Sequence, residues 1–251
     1  MPITDSKGMM VSKPRALDSV RDLLARHRDA FASVLPRTMS VDRLLRVAAQ
    51  SCAVTPKLLE CTQVSLLRCV MQCAMLGLEP DGPLGHAHLI PFKRTCTLVI
   101  GYRGFIELGW RAEAVMGIDA HPVFEDDSFE FAYGTERFIR HIPSFKEGAR
   151  DPSRLLAAYC VLDLRGGGTQ LYVFDREQAE ALKRTIRIGE DSPWIHHEPA
   201  MWVKSAIRRD YKLAPLGAAI MTAVRLDEQA EGGVDQTFDV EVVEAVGEDK
   251  E

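Results

Sequence analysis

The residues with the most chemistry in this chain lie between Ser192 and Pro215, in SPWIHHEPAMWVKSAIRRDYKLAP. Two chemistries compete there. His196, His197 and Glu198 are metal-ligand types, and with nearby carboxylates they would suit a metal-dependent nuclease. Lys204, Arg208, Arg209 and Lys212 are phosphate-binding types, with Trp194 and Trp202 as stacking rings or as packing. Spacing separates the two. Consecutive histidines cannot share a helix face, and the sequence identifies no further ligands. On a helix, Lys204, Arg208 and Lys212 stand one above another at i, i+4 and i+8, with Arg209 one step round. Val203, Ile207 and Tyr211 form the neighbouring apolar stripe. The expectation is a helix that buries this stripe and leaves a basic ridge at its rim, suited to phosphates along a backbone. Taken alone, such a face is also what a solvated surface looks like.

A second cluster shifts the balance. PFKRTCTLVIGYRGFIELGWR carries Lys93 and Arg94 at an expected hairpin tip, Tyr102 and Arg103 at a strand-to-helix junction, and Trp110 with Arg111 further along. Gly101 and Gly104 there allow close backbone approach. Single-strand binders combine a positive groove with stacking aromatics, and the two clusters are expected to wall one groove.

Other chemistries lack their motifs. There is no G-x-x-x-x-G-K-[ST] for a triphosphate, no G-x-G-x-x-G after a strand and no H-E-x-x-H. No Ser, His and Asp constellation stands out, so no catalytic residue is nominated. Asp126 with Asp127, and Glu190 with Asp191, are adjacent carboxylates best read as solvated. Cys69, Cys73, His86 and His88 lack the CxxC spacing of a zinc site. The six cysteines are expected as reduced thiols. Neither a metal nor a cofactor is expected.

The elements that must position these residues follow from periodicity. A helix is expected over Leu17 to Leu35 and stopped by Pro36, a second after Ser40, and a third through CTQVSLLRCVMQCAML ended by Gly77 and Pro80. Short β-branched runs follow: a hairpin around Lys93 and Arg94, a helix through Phe105 and Leu108, strands either side of Asp126 and Asp127, and strands joined across Gly166, Gly167 and Gly168. Asp175 with Gln178 reads as a helix start, and Pro199 opens the basic helix. This order argues an α+β fold: a helical N-terminal region, a central, mostly antiparallel sheet with packed helices, and an acidic tail. The expected division is an N-terminal arm and helix over 1–39 serving oligomerisation, a DNA-binding core over 40–225, and an acidic, flexible tail over 226–251. The net charge of −5 is unevenly spread. Beyond Leu226 ten acids face one lysine, so the tail carries −9 and the preceding 225 residues +4. That body is compatible with a polyanion partner. No apolar run is long enough to span a membrane, and the N-terminus has no export pattern.

At these residues the chain resembles the RecT family of phage and prophage single-strand annealing proteins. LGLEPDGPLGHAHLIPF, CTLVIGYRGFIELGWRAEAV, SPWIHHEPAMWVKSAIRRDYKLAPL and, more weakly, DSFEFAYGTERFIRHIP carry the resemblance, in order, from about Leu44 to Leu216. It implies an ATP-independent recombinase with no catalytic site and a RecT-like fold. Such a protein binds single-stranded DNA made by a partner exonuclease and pairs it with a complementary strand. It assembles as a homo-oligomer, a ring or helical filament, on the annealed duplex DNA. A host single-strand binding protein and a cytoplasmic location in a bacterial host are implied as well. By family match, Lys204, Arg208 and Arg209 fall on basic positions of the C-terminal motif, Tyr102 and Arg103 on the GY[KR]G motif, and His141 on a histidine after the EFAYG strand. With Lys93, Arg94, Arg111, Trp194 and Lys212 these are the DNA-binding candidates. His197, Glu198 and Pro199 depart from the family's more usual polar run, and Ser205 stands where threonine is frequent. Neither departure removes a phosphate contact. A structural assembly protein without a nucleic-acid role is the third reading.

Overall fold

A computed structural model describes residues 3–4, 10–11, 13–186, 188–189 and 192–236. Its helix ends follow local chemistry. The Thr62 side chain accepts from the Ser65 amide and opens α4 (Gln63–Leu76), and Gly77 closes it in the left-handed conformation at φ 61°. The Asp175 carboxylate accepts from the Gln178 amide and opens α6 (Arg176–Lys183). Ser40 sits at its expected position before α3 (Val41–Val54) without a side-chain cap bond.

Two compact units divide the chain: Met1–Gly104 with Val234–Glu251, and Phe105–Gly233. The first holds the antiparallel pair β1 (Ile3–Thr4) and β2 (Met10–Val11), then α1 (Lys13–Arg26), α2 (Arg28–Val34), α3, a 3₁₀ turn at Pro56–Glu60, and α4. The antiparallel hairpin β3 (Ala87–Phe92) and β4 (Thr95–Ile100) follows. The single helix expected over Leu17 to Leu35 is thus two, broken at His27. Its apolar stripe, expected to serve oligomerisation, is used within the unit. Val20, Leu23, Leu24 and Phe31 are buried, with α1 against α3 and α2 against α4. The hairpin is fixed to α4: the Cys96 amide donates to Ser65 Oγ at 2.9 Å and the Thr62 amide to the Arg94 carbonyl at 2.8 Å. Gln236 also belongs to this unit, and its buried side chain bonds both the amide and the carbonyl of Leu98 on β4.

The second unit continues α5 (Tyr102–Arg111) and holds β5 (Val115–Phe124), β6 (Ser128–Ala132), β7 (Phe138–Ile142), a 3₁₀ turn at Pro152–Arg154, β8 (Leu155–Leu164) and β9 (Thr169–Asp175). It ends with α6, α7 (Pro193–His196), α8 (Glu198–Tyr211) and α9 (Ala218–Gly232). The sheet runs β5-β8-β9, antiparallel throughout, and β6-β7 is a separate hairpin. Helix α8 packs on all three sheet strands and on α9. The fold is α+β with antiparallel sheets, as expected. Residues 226–232, read from the sequence as the start of the tail, are the second half of α9, where Leu226 and Asp227 are buried. The rest of that acidic stretch, beyond Gln236, lies outside the described residues. All six cysteines are unpaired, and burial pushes the Cys52 thiol up to about 12. No described helix is long and apolar enough to cross a membrane.

Candidate nucleic-acid interface

The basic helix is more deeply placed than its pattern suggests. Val203, Ile207 and Tyr211 are buried as expected, but so are Lys204 and Arg208, whose side chains are only 3% and 5% exposed. The ridge is therefore not a solvated rim. Lys204 Nζ lies 2.7 Å from Asp227 Oδ1, and Arg208 reaches Asp227 Oδ2 at 2.7 Å and Glu231 Oε2 at 2.6 Å. The i, i+4 cations of α8 meet an i, i+4 pair of carboxylates on α9. Burial opposes the Arg208 charge, yet Asp227 and Glu231 hold its pKa above the ordinary value. Sequence reasoning missed these acids because they stood in what read as a tail. The signal was Asp227 and Glu231 continuing the helical spacing of Ile220, Ala223 and Val224.

Farther along the same helix the cations approach solvent. Lys212 is exposed and pairs with Glu228 of α9, both about two-fifths exposed (42% and 44%). Arg209 is half-buried, its guanidinium carbon 4.7 Å from the ring centre of Phe174. A cleft of about 400 Å³ opens beside them, lined by Leu182, Ile186, Arg209, Lys212, Glu228 and Glu231 among others.

The tryptophans divide differently from expectation. Trp194 and Trp202 are core residues, 5% and 2% exposed, and Trp202 Nε1 donates to Glu198. The exposed indole is Trp110, beside Arg111, which pairs with Glu107 at 3.5 Å.

In the first unit Lys93 and Arg94 form the hairpin tip as expected, both exposed, with Lys93 in the left-handed region at φ 55°. Arg103 is exposed at the start of α5, its Nε 3.3 Å from Tyr102 Oη. The glycines around it serve the chain's own packing. A Cβ on Gly101 would sit 2.3 Å from the Gly85 carbonyl oxygen, and one on Gly104 would sit 2.1 Å from that of His86. The close approach read from this motif is made by the loop at Gly85 and His86.

His141 is nearly buried. Its Nε2 lies 3.0 Å from Asp127, a carboxylate that also accepts from the amides of Phe124 and Ser144 and from Arg150. Burial alone would raise the pKa of Asp127, but these donors bring it down to about 2. Asp127 is thus a structural hub, not a solvated carboxylate, and His141 packs edge-on against Phe129 and Tyr159. His196 and His197 are exposed, and among the described residues no group of three or more His, Cys, Asp or Glu is set to hold a metal ion. Glu190 and Asp191 lie outside the described residues.

Comparison with known proteins puts the chain among recombination and strand-annealing proteins. The family model described as RecT family matches residues 42–242. Protein RecT of Escherichia coli (strain K12) is 35% identical over 210 residues, covering 80% of this chain and 77% of that protein. A Bacillus subtilis (strain 168) protein, Uncharacterized protein YqaK, is 21% identical over 241 residues, covering 96% of this chain and 78% of its own. The chain belongs to the RecT family.

Proposed function

We propose that this protein binds single-stranded DNA and anneals it to a complementary strand without nucleotide hydrolysis. The observation that carries the reading is family membership across residues 42–242, a span that includes both basic clusters. The exposed cations Lys93, Arg94, Arg103, Arg111 and Lys212, with half-buried Arg209, are the candidates to neutralise phosphates. Tyr102 and Trp110 are the candidates to stack on bases. Lys204 and Arg208 act indirectly, by holding α9 against α8. No base-edge readout is required, because strand pairing supplies the sequence specificity. Annealing runs downhill once the repulsion between strands is screened, which fits a sequence without a P-loop. Further subunits in a ring or filament would carry the strand onward. A partner exonuclease and a host single-strand binding protein would supply and hand over the substrate.

The test is titration of a labelled oligonucleotide at several salt concentrations. Each phosphate contact on a single strand contributes a slope of roughly 0.7 to log K against log salt. Lys93→Ala with Arg94→Ala should flatten the slope by about 1.4 on that rule and weaken binding alike for all sequences. Unchanged affinity and slope in a folded double variant would remove the hairpin tip from the interface. Incubation with magnesium or manganese separates the nuclease reading, which requires the strand to shorten.

A further inference from the structure

We infer that the cleft between α6, α8 and α9 is a phosphate subsite held by Arg209 and Lys212, and that Glu228 of α9 is its resident competitor. The inference rests on the single-strand-binding reading above and adds a regulator to it. The ion pairs between α8 and α9 fall into two tiers. Lys204, Arg208 and Asp227 form the inner tier, sealed from solvent, where removing one partner strands an unpaired charge. Lys212 with Glu228 forms the outer tier, nearly half exposed on both sides, where water and salt weaken the attraction. The inner pairs fix where α9 lies, so the Glu228 carboxylate is delivered to Lys212 without being tightly bound there.

A carboxylate and a phosphodiester offer a lysine ammonium the same contact: a charged oxygen acceptor within hydrogen-bond reach. Arg209 is poised to share the incoming group, because its stack on Phe174 fixes the guanidinium at the cleft wall. Leu182 and Ile186 line the cleft as well. A strand entering the cleft exchanges Glu228 for a phosphate, while Asp227 and Glu231 stay engaged with Lys204 and Arg208. The helix thus lowers DNA affinity at this position without unfolding when DNA binds. Neutralising Glu228 should free the subsite.

The experiment compares wild type, Glu228→Gln, Glu228→Gln with Lys212→Ala, and Glu147→Gln, all as full chains, for affinity to a labelled oligothymidylate. Glu147 is an exposed loop acid outside the cleft and controls for the added unit of net charge. Glu228→Gln should tighten binding by up to about fivefold, the upper end of an exposed pair's worth, and the gain should vanish when Lys212 is also removed. No gain, an equal gain from Glu147→Gln, or a gain that survives loss of Lys212 would overturn the competitor. A wild type that binds no oligonucleotide at all would instead remove the single-strand reading on which the inference stands.

Discussion

Asp227 and Glu228 are neighbours on one helix with opposite expected behaviour. Asp227 is fully buried between Lys204 and Arg208. Asp227→Ala takes the carboxylate from two desolvated cations, of which only Arg208 also reaches Glu231, and should cost about 3–5 kcal/mol in urea denaturation. Glu228→Gln removes only an exposed pair and should change stability by less than about 1 kcal/mol. Asp210, also on α8, is fully buried, and neither of its oxygens finds a hydrogen-bond partner of good geometry. Burial pushes its carboxyl up to about 7, and Cys160 and Gln170 offset only part of that rise. The folded chain therefore keeps a proton that the unfolded chain releases at the ordinary carboxylate value. Its stabilising effect is fully present below that value and is lost as pH rises toward 7. Asp210→Asn should flatten the stability profile across that window, leaving the variant the more stable protein at pH 8. Chemical denaturation at pH 5 and pH 8 checks the sign. Neither Asp210 nor the inner pairs were legible in the sequence, because a buried ion pair is a tertiary fact. One helix face of lysine and arginine looks the same whether water or α9 covers it.

At the scale of elements, the sequence was most informative where a local rule acts alone. Gly77 closes α4, Asp175 opens α6, and the strands either side of Gly166 to Gly168 stand where the sequence puts them. Besides short elements such as β1, β2 and α7, two elements escaped. Strand β7 lies in FIRHI, whose pairing with β6 depends on a partner strand. Helix α9 carries its core contacts on Ile220, Ala223, Val224 and Leu226 inside increasingly acidic sequence, so composition masked periodicity. The β3–β4 hairpin offers a test that separates fold from function. Lys93 holds a left-handed backbone that glycine would adopt without strain. Lys93→Gly should raise stability by about 1 kcal/mol while lowering single-strand affinity, opposite signs read by a melting curve and a binding titration. Gly104→Ala has no such compensation. Its Cβ would meet the His86 carbonyl at 2.1 Å, so the start of α5 must move and the melting temperature should fall.

For the molecule as a whole, net charge was a poor guide and its distribution a better one. The −5 total conceals a +4 body, but part of the acidic excess is not tail at all. Asp227, Glu228 and Glu231 are spent on cations of α8. The candidate site was half legible: the hairpin tip and Arg103 are exposed as expected, whereas Lys204, Arg208, Trp194 and His141 are built into the interior of their unit. The most direct measurement of the central proposal is annealing of two complementary, dye-labelled oligonucleotides followed by energy transfer, without ATP and with the strands sized afterwards. Annealing accelerated by wild type, with strands intact and with the gain lost on replacing Lys93, Arg94 and Arg103 by alanine, is the predicted result. Annealing no faster than in buffer, or strands cut short, would contradict it.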